Sequence, residues 1–142
     1  MTPVDALQTA LAAEHAALYV YGVLGARTSQ SATPVLYAEV SDAYSTHRAW
    51  RDLLTSRLVD EGAEPTPAAP TYELPATAPT PAGVERAAVE VEERCATTYA
   101  YVVANTADAD RTWAIGALTR AATRRVAFGA PPEALPGAAE LA

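Results

Sequence analysis

The chain has 142 residues, half of them hydrophobic, enough for a single domain with one sizeable core and too apolar for a disordered polar chain. Seventeen acidic residues against ten arginines and no lysine give a net charge of −7, which repels nucleic acid and anionic lipid and excludes both as expected partners. The lone Cys95 excludes an internal disulfide framework, and no apolar run nears the ~18 residues of a membrane span, so the expectation is a cytoplasmic protein with no membrane partner.

Thr2-Pro3-Val4-Asp5 opens the first predicted helix with a capping hydroxyl, a proline at the first helical position and an acid shortly after it. Leu7, Leu11, Glu14, Leu18 and Tyr21 then alternate in spacing between four and three, the seam of a bundle helix, and the run ends near Arg27. Thr33-Pro34 repeats the start signal for a second helix, whose seam is Leu36, Val40, Ala43, His47, Trp50 and Leu54 and whose stop is Gly62. Thr80-Pro81 starts a third, with Val84, Ala88, Val91, Cys95, Thr98 and Val102 as its seam. Asn105-Thr106-Ala107-Asp108 provides a short turn and a fresh cap. The fourth helix carries Trp113, Ala117, Leu118, Ala121 and Phe128 and stops at Gly129, leaving a tail over 129–142. Asp108 and Asp110 at its start and Arg124 and Arg125 at its end suit the helix dipole.

Connection lengths set the topology. The first and third links are short, so each joins an antiparallel pair. Between the pairs lies Ala63 to Pro79, rich in proline, which spans about 50 Å if extended at roughly 3.1 Å per residue. A helix of about 26 residues is only about 39 Å long. The segment can therefore cross the whole bundle and restart helix 3 parallel to helix 2. The expected architecture is all-α, one domain over 1–142, a ferritin-like four-helix bundle with one long crossover over 63–79 between helices 2 and 3.

Glu14, His47 and Glu92 fall at one depth of such a bundle, with Arg120 near the same level on the fourth helix. Charged groups inside a bundle are costly unless paired or bound to metal. A carboxylate-bridged metal pair needs a glutamate from each of two helices and Glu-x-x-His from each of the other two. Glu14 fits that pattern and Glu92 can, but Tyr44 stands where helix 2 needs its glutamate. Ala117-Leu118-Thr119-Arg120 supplies neither carboxylate nor imidazole. With half of the set missing, the expectation is no metal, no cofactor and no catalytic residue. In their place stands a self-satisfied cluster of Glu14, Tyr44, His47, Arg51, Glu92 and Arg120. In it Glu14 accepts from His47 and from Arg51 or Arg120, and Tyr44 donates its hydroxyl into the layer. Cys95, on an apolar seam, reads as a buried small hydrophobe.

The stretches Ala13-Glu14-His15-Ala16-Ala17-Leu18-Tyr19-Val20-Tyr21-Gly22, His47-Arg48-Ala49-Trp50-Arg51-Asp52 and Tyr72-Glu73-Leu74-Pro75 resemble a small actinobacterial ferritin-like family catalogued as a domain of unknown function. The resemblance runs from Val4 to Phe128. It implies a ferritin-like bundle of unassigned function with Glu14, His47, Arg51 and Asp52 as signature polar positions. Trp50 departs from the polar or small residue expected beside His47, which bears on how open any pocket there is. Residues and resemblance together lead to the expectation of a non-enzymatic structural or binding module, paired as a homodimer through an alanine-rich face. The alternative is a reduced metal-binding or oxidative protein using Glu14, His47 and Glu92. A third reading is a carrier of a small apolar molecule among the tyrosines.

Overall fold

The computed structural model describes residues 2–141; the end residues of the expected domain, 1 and 142, lie outside the described residues. Four helices follow in order, α1 (Pro3–Ala26), α2 (Pro34–Asp60), α3 (Pro81–Asn105) and α4 (Asp108–Ala127), and a 3-10 turn at Ala139–Leu141 ends the tail. Two of the Thr-Pro starts act as their sequence suggests. The Thr2 hydroxyl accepts from the Asp5 amide (3.2 Å) while the Asp5 carboxylate accepts from the Thr2 amide (2.8 Å), and the Thr80 hydroxyl accepts from the Gly83 amide (3.1 Å).

The other two starts differ. Thr33 makes no side-chain cap on α2; its hydroxyl accepts from the Ser29 amide (3.0 Å) and donates to the Ser29 carbonyl (3.1 Å), closing the preceding loop instead. Nor does the Asn105 to Asp108 turn cap α4. Asn105 donates to the Tyr101 carbonyl (2.8 Å) and Thr106 to the Val102 carbonyl (2.7 Å), so both side chains satisfy the orphan carbonyls at the end of α3. Asp108 makes the reversal by taking φ +48, a conformation Asp tolerates better than most residues.

Between α2 and α3 the chain runs back along α1. The Gln8 side chain donates to the Glu64 carbonyl (2.7 Å) and accepts from the Thr66 amide (2.8 Å), His15 bonds the Thr66 carbonyl (3.0 Å), and the rings of Tyr19 and Tyr72 lie 5.6 Å apart. Contacts thus climb α1 as the segment advances, and Leu74 packs onto the core. Because α3 starts at the far end, Glu92 lies level with Tyr21 and Tyr99 with Glu14, which makes α3 antiparallel to α1 and parallel to α2. Short, long, short with one crossover is the connectivity that ferritin-like bundles use.

Gly83 lets the crossover close onto α3. A Cβ there would sit 1.8 Å from the Ala78 carbonyl oxygen, a backbone atom that cannot swing away. Gly83→Ala is expected to lose about 1–3 kcal/mol. Gly116→Ala, with nothing within 4 Å of the added carbon, is expected to gain up to about 1 kcal/mol from helix propensity. Denaturant melts of the two variants check this, and equal effects would contradict it.

α1 packs on α2 and α3, and α3 on α4, whereas no Cα of α2 comes within 8 Å of one in α4 among the described residues. Long side chains bridge that wider gap: Trp50 against Trp113 (6.1 Å between rings), Arg57 on Asp110 (2.6 Å) and Arg124 on Asp42 (2.8 Å). On α3 the expected seam is buried except at Thr98, which is only partly buried, and the buried face widens to take in Glu92 and Tyr99 completely. The core has two apolar parts, and the break between them falls between Leu11 and Ala17 on α1 and between Ala43 and Leu54 on α2. That break is the polar layer. No helix among the described residues is long and apolar enough to cross a membrane.

Candidate functional site

Three helices bring Glu14, His47 and Glu92 together with no solvent-exposed surface on any of them. Glu14 replaces an apolar residue on its seam and Glu92 flanks the seam residue Val91 on the buried face of α3, so both carboxylates are inside, and His47 on α2 reaches between them. His47 Nδ1 lies 2.6 Å from Glu14 Oε2, and Nε2 lies 3.3 Å from Glu92 Oε1. Two tyrosines complete the layer with a reciprocal pattern. Tyr21 on α1 donates to Glu92 on α3 (2.5 Å), and Tyr99 on α3 donates to Glu14 on α1 (2.5 Å). Each tyrosine stands two helical turns beyond the glutamate on its own helix, so an antiparallel pair brings each tyrosine onto the other helix's acid.

The imidazole is packed as well as bonded. The Tyr21 ring stacks on it at 5.4 Å, and Trp50 meets it edge-on at 5.6 Å, filling the space beside it. Burial by itself pulls the imidazole pKa down, but hydrogen bonds and charge from Glu14 and Glu92 more than reverse this and raise it to about 9. At neutral pH His47 is therefore an imidazolium that donates from both nitrogens. Burial first, then neighbouring acidic groups, hold both the Tyr21 and Tyr99 phenols well above their ordinary value, so each stays a donor. Burial likewise pushes the Cys95 thiol up, which leaves it unreactive.

Arg124, only 7% exposed, is the second cation. Its Nη1 lies 3.7 Å from Glu92 Oε1, while Nη2 donates to Asp42 (2.8 Å) and to Thr46 (3.3 Å). The Arg124 hydrogen bond, together with the charges of Arg124 and Arg120, holds the Asp42 carboxyl below the usual carboxylate range. Two acids thus face two cationic groups. Among the described residues, only Glu92 Oε2 and Arg124 Nη1 are left in this layer without a hydrogen bond.

The layer differs from the cluster expected from sequence in three residues. Tyr44 follows the seam residue Ala43 and so turns out to the surface, half-exposed. Arg51 pairs with its neighbour Asp52 (2.7 Å) on the outer face of α2. Arg120 is exposed and pairs with Asp42 (3.3 Å). Side chains lean toward the N-terminus of their helix, so it is Arg124, one turn later, that reaches the depth of Glu92. Tyr21 and Tyr99 were legible in principle: both follow a glutamate by seven residues.

Chemically the layer does not fit a metal pair. Both Glu14 oxygens accept hydrogen bonds, Glu92 Oε1 accepts from Tyr21 and His47, and both imidazole nitrogens face carboxylates, so no set of free lone pairs converges on one point. Among the described residues no group of three or more His, Cys, Asp or Glu is disposed to hold a metal ion.

No curated protein matches the chain. The fold is similar to the crystal structure of a conserved hypothetical protein, rv2844, from Mycobacterium tuberculosis, with a TM-score of 0.81 and 35% identity over 89% of this chain and 93% of that one. The family described as a domain of unknown function (DUF4439) matches residues 6–140, from the first turns of α1 to the tail, and the chain belongs to that family.

Proposed function

We propose that the protein is a non-enzymatic helical module whose polar layer sets helix register and whose surface binds. One observation carries this reading: Glu14, His47 and Glu92 have no exposed surface, and every polar atom of their side chains except Glu92 Oε2 already has a protein partner. A substrate has no path to the carboxylates, and a metal ion would have to displace the tyrosine and histidine protons that satisfy them. A slipped helix would strand two acids and an imidazolium in the core, which makes the layer a strong selector of one register.

The partner in this reading is a second copy of the chain. Its support is the cleft between α2 and α4, walled by small residues such as Ala38, Gly116 and Thr119, on helices that also expose Val35, Ile115 and Val126. Protein grown in metal-replete medium and passed through gel filtration tests both parts. Elemental analysis is expected to find no stoichiometric iron, manganese or zinc, and the mass is expected to be that of two chains. One or more retained metal equivalents would favour the oxidative alternative built on Glu14, His47 and Glu92, and a monomer mass would remove the dimer.

A further inference from the structure

We propose that the cleft between the C-terminal half of α1 and the N-terminal half of α2 binds a neutral saccharide ring. The cleft has a volume of about 330 Å³, and its walls are Tyr37, Ser41, Tyr44 and Ser45 from α2 and Gly22 and Gly25 from α1. That volume suits a small ligand. The site lies on the surface above the Tyr21 ring, which it shares with the buried layer, and its other walls stand whether or not that layer is purely structural.

Charge selects the class first. Every residue lining the cleft is uncharged, in a chain of net charge −7. The cleft between α2 and α4, in contrast, carries Glu39, Asp42, Arg120 and Arg124. A charged ligand in the α1–α2 cleft would lose hydration and meet no counter-charge.

Hydroxyl chemistry narrows it further. Tyr37, Ser41, Tyr44 and Ser45 recur along one stripe of α2, and none of the four hydroxyls has a hydrogen-bond partner within the described residues. Several threonines elsewhere on the helices turn inward to their own backbone: Thr55 donates to the Arg51 carbonyl (2.8 Å), Thr119 to that of Ile115 (2.9 Å) and Thr123 to that of Thr119 (2.8 Å). The four on this stripe are free both to donate and to accept, which suits a ligand whose own hydroxyls do both. Two tyrosine rings beside them offer faces on which the C–H side of a sugar ring can stack. Beneath, Tyr21 has its hydroxyl committed to Glu92, so the floor it contributes is apolar.

The glycines supply an independent argument. Gly22 and Gly25 take no positive φ, and glycine within a helix weakens it relative to alanine, the residue this helix otherwise favours. Packing does not demand them. An added Cβ at Gly22 would meet Tyr44 Cε2 at 3.9 Å and one at Gly25 would meet Val40 Cγ1 at 3.9 Å, both ordinary contacts. What glycine provides at both positions is an open, flat wall on the α1 side of the cleft.

The test is an amide NMR titration of the full chain with neutral sugars (glucose, galactose, mannose, trehalose and their methyl glycosides) and with glucuronate and glucosamine as charged comparators. At least one neutral sugar is expected to give saturable shifts at Gly22, Gly25, Ser41 and Ser45, with the charged sugars giving none. Methyl glycosides binding as well as free sugars would point to a glycan terminus, and free sugars alone to a soluble metabolite. Tyr44→Ala is expected to keep its helical circular dichroism and bind about tenfold more weakly. The double variant Gly22→Ala, Gly25→Ala is expected to melt at a higher temperature than the parent while also binding more weakly. Silence across the neutral panel, equal binding of glucuronate, or a double variant that melts lower than the parent would each overturn the proposal.

Discussion

Replacing His47 by alanine is expected to destabilise the fold by about 3–5 kcal/mol, the range for removing one side of a buried ion pair. The imidazolium donates to Glu14 and Glu92 at once, and all three side chains are sealed from solvent, so the variant leaves two carboxylates short of a donor where water cannot replace it. The exposed control Asp60→Ala is expected to stay within about 0.5 kcal/mol of the parent. Adding Glu14→Gln to His47→Ala is expected to recover part of the loss, because one stranded charge is gone while Tyr99 still has an oxygen to donate to. Denaturant melts of the parent, His47→Ala, Glu14→Gln and the double variant close the cycle, with Asp60→Ala beside them as the control. Additive losses, or a His47→Ala cost no larger than that of Asp60→Ala, would show that the two charges do not depend on each other.

Stability is expected to fall on the alkaline side, by an amount of the same order. The His47 pKa is raised from about 6.5 in the unfolded chain to about 9 in the fold. Between those values the native state holds a proton that the unfolded state has lost, so the slope of stability against pH is negative there. The contribution is complete below about pH 6.5, declines as pH rises and is lost above about 9, for a total of roughly 3 kcal/mol. Tyr21 and Tyr99 act in the same direction at still higher pH, since both phenols are held above their ordinary value. Urea midpoints measured across this window check the sign. In His47→Gln the fall between neutrality and pH 9 should flatten, and an unchanged slope would assign the pH dependence to other groups.

Much of the fold was legible because it rests on local signals and on reach. Proline after threonine marks helix starts, alternating seams mark inward faces, and a proline-rich segment long enough to cross the bundle dictates a parallel restart of α3. What local signals did not settle is rotation about each helix axis. The α3 seam drawn through Val91, Cys95 and Val102 is buried as read, but the buried face is wider and takes in Glu92 and Tyr99, so the seam alone did not single out Tyr99 as a donor into the layer. Arg120 and Arg124 were both available on α4, and sequence depth alone favoured the wrong one because a long side chain spans a turn toward its helix N-terminus. Tyr44 and Arg51 flank seam residues and share their polarity with the layer but not their direction. Loop chemistry was the other gap: Thr33 and Thr106 carry capping side chains that serve the preceding segment rather than the helix that follows.

Everything in the layer turns on His47 being an imidazolium clamped between two carboxylates and sealed from solvent. Heteronuclear NMR titration of the two imidazoles in the chain reads this directly. His47 is expected to carry protons on both ring nitrogens through neutral pH, to exchange them slowly with water and to titrate near 9. A His47 ring that is neutral at pH 7, or that titrates at or below about 6.5 with fast-exchanging protons, would contradict it.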